Sequence, residues 1–175
     1  MAFNFQVFKT RALTAIVFAA IMLTAFSLCL SMTHLLEFSQ RMKFDQELWV
    51  RVTVFENLYV LFGSVGAVFE IGAILTAFVL AFLVRGRGQT FYWTLSRAFI
   101  LLAAFVVWLI FVADANTELA RWLTNPVPPD WTRTRDQWEY AHAVNGFIKI
   151  AGLSLLVISV LIETTETKKV HPKQN

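Results

Sequence analysis

The chain has 175 residues, of which 57% are hydrophobic, 15% aromatic and only 15% charged, with a mean hydropathy of +0.59. Soluble domains average about 45–50% apolar and about 25% charged residues, so the composition excludes an ordinary soluble domain and points to a membrane. One cysteine, Cys29, excludes an internal disulfide and a cysteine-built zinc cage, and the net charge of +3 comes from basic residues scattered at segment ends, without the basic stripe that binds nucleic acid.

A spanning helix needs about 20 mostly apolar residues. Residues 12–36 carry no charge between Arg11 and Glu37, which predicts the first span. Its apolar run is longer than that of a cleaved signal segment, and Leu28 precedes Cys29 where a lipoprotein signal wants a small residue, so the helix is read as retained despite the small triplet Ala25-Phe26-Ser27. Phe44 to Val54 reads as a partly helical stretch lying on the interface. The second span, 57–84, carries only Glu70 and stops at the turn Arg85-Gly86-Arg87-Gly88. In the third, 91–113, the one charge is Arg97, near enough to the helix start to snorkel to the interface. The fourth, 141–162, carries only Lys149 and runs into a polar tail, 163–175, in which His171 is expected to be solvated. Neither an internal repeat nor barrel-type alternation is present.

These segments predict a single all-α domain: an integral membrane four-helix bundle, up-down-up-down, with both termini inside and two outer loops, 37–56 and 114–140, packed over the bundle mouth. The orientation rests on eight basic residues on the face of the termini (Lys9, Arg11, Arg85, Arg87, Arg97, Lys168, Lys169, Lys173) against six on the other (Arg41, Lys43, Arg51, Arg121, Arg133, Arg135). It implies the plasma membrane, with the termini in the cytoplasm. Acidic residues run the other way, two inside against nine outside, so the outer face is where chemistry is expected.

Polar side chains recur at the outer helix ends. His34 and Glu37 close the first span, Glu56 precedes the second, Asp114 follows the third, and Glu139 and His142 open the fourth. Each His/Glu pair is three apart and so shares a helical face, and Glu-x-x-His with neighbouring carboxylates is how bundle proteins assemble di-iron and di-manganese ligands. His34, Glu37, Glu56, Asp114, Glu139 and His142 are therefore a candidate divalent-metal site; iron, copper and zinc all suit imidazole and carboxylate, and ligand type does not choose among them. The alternative is that these groups are simply solvated at the interface.

Glu70 and Lys149 each lie about 21 Å from the inner ends of their spans at about 1.5 Å per residue. A charge at that depth faces the bundle interior with a partner, which predicts a Glu70/Lys149 pair, either a proton-relay or substrate-polarising pair or a purely structural one. His142, Asn145, Lys149 and Gly152 recur at spacings of three and four, an inward stripe. The glycines of the second span, Gly63, Gly66 and Gly72, read as points of close helix approach. The six tryptophans mostly lie near helix ends, as an interfacial belt predicts, with Trp108 deeper, and the phenylalanines read as lipid-facing. There is no phosphate loop, dinucleotide fingerprint, nucleophile elbow or His-Glu-x-x-His motif.

One stretch carries more than a pattern: Asn116-Thr117-Glu118-Leu119-Ala120-Arg121-Trp122, then Pro128-Pro129-Asp130-Trp131, then Arg135-Asp136-Gln137-Trp138-Glu139-Tyr140-Ala141-His142. It resembles the second outer loop of the anthrone oxygenase-like family of small four-helix membrane proteins, and the likeness covers residues 110–160, with a weaker echo in His34-Leu35-Leu36-Glu37. The resemblance implies a four-helix membrane fold, oxidation of a polycyclic phenolic ring to a quinone, and Asn116, Arg135, Trp138 and His142 as site residues. In that reading Arg135 orients the loop or holds an anionic group through its planar fork, Trp138 stacks on the ring, and neutral His142 takes a phenolic proton. The expected partners are the lipid bilayer and a small aromatic substrate or a membrane protein. A non-catalytic accessory protein that binds a partner through its outer loops is the alternative, and a proton-coupled conduit through Glu70 and Lys149 a third.

Overall fold

The structure, a computed structural model, describes residues 5–56 and 58–170, with side chains over 11–56 and 59–164. Asn57, Lys9, Glu166, Lys168, Lys169, Lys173 and His171 lie outside the described side chains, so the expectations placed on them are not addressed by it. The described residues form helices and turns and contain no strand. In chain order these are α1 (Phe5–Arg41), α2 (Gln46–Val50) running into a π-helical turn (Arg51–Phe55), α3 (Leu58–Leu83), α4 (Gln89–Val107), a second π-helical turn (Trp108–Val112), α5 (Ala113–Arg121) and α6 (Trp131–Val170).

Among the described residues, four helical stretches are long and apolar enough to cross a membrane: Arg11–Arg41, Tyr59–Leu83, Gln89–Arg121 and Trp131–Thr164. Between 17% and 33% of their most apolar windows is buried inside the chain; the remainder is an oily exterior suited to lipid and not to water. Phe18, Phe82, Phe99 and Phe147 stand on that exterior, as expected of lipid-facing rings. The chain thus has the architecture of a multi-pass integral membrane protein.

α1 packs mainly on α3 and α6, and α4 on the same two helices, so the four long helices close into a ring. Small residues set the approach. A Cβ on Gly152 would come within 2.9 Å of Leu101 Cδ2, and one on Gly72 within 3.2 Å of Leu23. The turn between α3 and α4 is possible because Gly88 takes a positive φ of 51°, a conformation that a side chain opposes. At the opposite end of the bundle, the Asp45 carboxylate accepts from the Leu48 N–H (2.9 Å) and starts α2.

Three expectations change. The 114–140 loop is largely helical: α5 continues the rod of α4 through the π turn, and α6 begins at Trp131, just after Pro128-Pro129-Asp130, leaving a connection of residues 122–130. Its charged residues lengthen helices beyond the apolar stretch instead of breaking them. Trp49, Trp122, Trp131 and Trp138 do not form an interfacial belt; all are buried in one cluster with Val54 and Leu119, because each indole finds another indole across the end of the bundle. Arg97 does not snorkel. It is fully buried and reaches across the ring to α1, where Nη2 donates to the Ala20 carbonyl (3.2 Å) and to Thr24 Oγ1. These two acceptors across the bundle hold its guanidinium inside.

Candidate functional site

Between the tryptophan cluster and a mid-bundle apolar layer of Ala73, Ala77, Ala98 and Leu101 lies a cavity of about 60 Å3. A buried water occupies about 10–15 Å3 by the same measure, so the chamber has room for a few waters and not for an aromatic ring. All four long helices contribute to its walls.

α1 supplies Ser27, Ser31 and His34, spaced four and three apart on one face. α3 supplies Glu70, and also Gly63, beside whose absent Cβ nothing lies within 4 Å. α6 supplies Trp138, His142, Asn145 and Lys149, the inward stripe read from the sequence. α4 and its π turn supply Phe105 and Trp108.

Lys149 Nζ pairs with Glu70 Oε2 and donates to Ser31 Oγ (3.0 Å), while Ser27 Oγ donates to the same Glu70 oxygen (2.8 Å). Both charges are buried, at 6% and 7% exposure. Asn145 Nδ2 donates to the Ala104 carbonyl (3.1 Å), where α4 loosens into the π turn. A π turn inside an α-helix shifts the register of the side chains beyond it and recurs at functional sites. His142 Nδ1 lies 2.8 Å from the Trp138 carbonyl. A carbonyl only accepts, so Nδ1 carries the hydrogen and Nε2 of the neutral ring keeps its lone pair. The His34 ring stands 4.2 Å from that of His142 and edge-on to Trp138 at 4.9 Å, centroid to centroid.

Three buried polar atoms on these residues have no partner: Glu70 Oε1, Asn145 Oδ1 and His34 Nδ1. Buried polar groups are nearly always hydrogen-bonded, and leaving one unmade costs about 1–3 kcal/mol. All three belong to residues that line the chamber.

The chamber therefore gathers His34, Glu70, Trp138, His142 and Lys149, with Asn116 behind them accepting from Trp138 Nε1 at 2.9 Å. The other residues picked out from the sequence lie elsewhere. Arg135 turns away: it pairs with Asp136 (2.8 Å) and places its guanidinium over Trp131, 5.0 Å from the ring centroid. Glu139 is taken by Arg41 Nε and Trp49 Nε1, each at 2.7 Å. Glu37 is half exposed, 3.8 Å from Arg41 Nη1. Asp114 accepts from Gln137 (3.0 Å), and Glu56 is exposed on an outer groove. Among the described residues, no group of three or more His, Cys, Asp and Glu side chains is placed to hold a metal ion. The six residues thus do not gather at one point: Arg41 holds Glu139 and approaches Glu37, Gln137 holds Asp114, and Glu56 faces outward.

Arg41 was counted in the sequence only as an orienting charge, and nothing local marks it as the partner of Glu139, 98 positions away. Ser27 and Ser31 were legible in principle, since they continue the face of His34 at helical spacing. Compared with protein-family models, with curated proteins and with solved structures, the chain matches none. Fold and site define it as a multi-pass helical membrane protein with a charged chamber inside its bundle.

Proposed function

We propose that the chain is a membrane oxidoreductase of the anthrone oxygenase-like kind, inserted up-down-up-down with both termini on the cytoplasmic side of the plasma membrane, and that its chemistry takes place at the chamber. The observation that carries this reading is the gathering of an ion pair and two histidines, three of whose neighbouring polar atoms lack partners, around one cavity inside the bundle. Such groups are costly within a membrane and mark functional sites there. The topology is supported by the excess of basic residues on the face of the termini and by the short turn 84–88, which makes α3 and α4 sequential neighbours.

The residues divide the work. The chamber admits the reacting edge of the substrate and not its rings, and there His142 Nε2, with its lone pair fixed by the Trp138 carbonyl, accepts the proton of a phenolic or enolised group. The Lys149 ammonium, held by Glu70 and Ser31, faces the oxyanion left behind. Asn116 and Trp138 are positioning residues, because the Asn116 amide oxygen locks the indole that backs both imidazoles. With dioxygen as oxidant, an anthrone balances as one methylene becoming a carbonyl: one oxygen atom enters the ring and the other leaves as water with the two hydrogens.

The test is oxygen uptake and quinone absorbance with an anthrone and the purified chain in nanodiscs. His142→Ala is expected to lower the rate about 100-fold or more, the usual loss on removing a general base. Equal rates for wild type, His142→Ala and empty nanodiscs would sink the proposal and leave the accessory-protein alternative.

A further inference from the structure

The end of the bundle away from the chamber closes on the turn 84–88, and there the guanidinium of Arg85 lies over the ring of Phe82, 4.0 Å from its centroid. Phe82 stands exposed on the lipid-facing side of α3. We propose that Arg85 and Phe82 head a binding site for one anionic phospholipid, in which Arg85 holds the phosphate and the outer stripe of α3 receives an acyl chain. The inference is independent of the chemistry at the chamber.

The headgroup end gives the first argument. A guanidinium carries its N–H donors in its own plane, so a ring against its face fixes its position and leaves the donors for an acceptor beyond. Among the described residues Arg85 forms no ion pair and no side-chain hydrogen bond. Arg87, in the same turn, is already spent on Glu163, which also accepts from Thr90 Oγ1 at 3.1 Å. Arg85 is thus left as an exposed cation whose planar fork matches a phosphate. A Cβ at Gly86 would meet nothing within 4 Å, so there is room beside it for a headgroup.

The apolar stripe gives the second. Running back along α3 from Arg85, Phe82, Val79 and Leu75 recur at spacings of three and four, and all are exposed. From Leu75 to Arg85 is ten residues, about 15 Å at about 1.5 Å per residue, which is half of a hydrocarbon core about 30 Å thick and so the depth of one leaflet. Across the turn, Tyr92 and Trp93 stand exposed in the first turns of α4, as aromatic side chains do at headgroup level. A free anion would use the guanidinium alone, whereas an amphiphile uses guanidinium and stripe together. A zwitterionic lipid brings its own cation to compete for the phosphate, so a headgroup of net negative charge is preferred.

The experiment is native mass spectrometry of the purified full chain, released from detergent micelles that contain phosphatidylglycerol and phosphatidylcholine at equal concentration. The inference expects phosphatidylglycerol to be retained in preference, and the ratio of the two bound lipids to fall about fivefold in Arg85→Gln, the worth of one basic residue beside an anionic surface. Arg11→Gln removes the same charge from an exposed position near the same end of the bundle and is expected to stay within about twofold of wild type. Circular dichroism establishes that each variant is folded; should Arg85→Gln fail to fold, Phe82→Leu, which removes the ring and keeps the apolar surface, carries the test in its place. A wild-type ratio in the folded variant overturns the site. An equal fall in Arg11→Gln makes the attraction a property of the whole basic end and overturns it too. Exchanging sodium chloride for sodium phosphate at equal ionic strength separates the lipid from the free anion: phosphatidylglycerol is expected to stay bound, and its displacement would mean that Arg85 takes inorganic phosphate instead.

Discussion

Among the described residues two ion pairs are buried in this bundle, and they are built differently. Arg41 and Glu139 are enclosed: the guanidinium meets a carboxylate and a hydroxyl, lies within 6 Å of the Trp49 and Trp138 ring centroids, and Trp49 donates to the same carboxylate. Glu70 and Lys149 instead face the chamber and are held by two serines; in each pair one carboxylate oxygen, Glu70 Oε1 or Glu139 Oε2, has no partner. The first pair is wedged among aromatic rings and ties α1 to α6 and to the 51–55 turn. The second pair is accessible from inside the bundle. The first pair is packed among tryptophan rings and joins separate elements, an architectural role, whereas the second stands on the chamber wall beside the two histidines.

The comparison breaks most sharply when one partner is removed. Glu139→Leu leaves Arg41 buried without its carboxylate, and breaking a buried pair costs about 3–5 kcal/mol. Denaturant unfolding in detergent should show that loss, with most of it recovered in Arg41→Met/Glu139→Leu. For the cavity-lining pair, Glu70→Leu/Lys149→Met is expected to stay within about 1–4 kcal/mol of wild type, on the stabilising side, while anthrone turnover disappears. Retained turnover in that double variant would make the second pair structural as well.

Smaller effects sharpen the same distinction. Asn116→Ala strands the buried Trp138 N–H and should cost about 1–3 kcal/mol, with turnover falling alongside because the indole backing both imidazoles loses its anchor. Gly63→Ala points into the open chamber, with nothing within 4 Å of the new methyl. It should raise the melting temperature slightly, since alanine exceeds glycine by about 0.5–1 kcal/mol in a helix, and lower turnover by crowding the site. Arg135→Ala should leave turnover within about threefold, because its side chain serves Asp136 and Trp131 and not the chamber; a change of about 0.5 kcal/mol is usual for such a site. A loss of about 100-fold, the scale of a catalytic group, would return Arg135 to the site.

How far these features were legible differs residue by residue. The stripe His142, Asn145, Lys149 and Gly152 read as inward-facing, and the structure turns it inward, because helical spacing alone fixes which side chains share a face. Likewise the depth of Glu70 and Lys149 follows from counting residues along two spans. Arg97 was read from its distance to the helix end, but that count says nothing about whether α1 presents Thr24 opposite. The tryptophans were placed by their position along the chain, whereas their burial depends on four of them meeting across elements as far apart as residues 49 and 138. The Glu-x-x-His pattern suggested a metal cluster for the same local reason, and Arg41 took Glu139 out of it.

The sequence by itself determined that this is a helical membrane chain, where its four apolar stretches run, and which face of α6 turns to the interior, because hydropathy and helical period are properties of neighbouring residues. Only the tertiary structure decided that His34 and His142 share a wall and that Arg41, 98 positions away, pairs with Glu139. Those outcomes depend on the register and azimuth at which separate helices pack. In a bundle with a lipid-facing exterior, that register is set by the fit of small residues and the pairing of buried charges across helices, which no local pattern encodes.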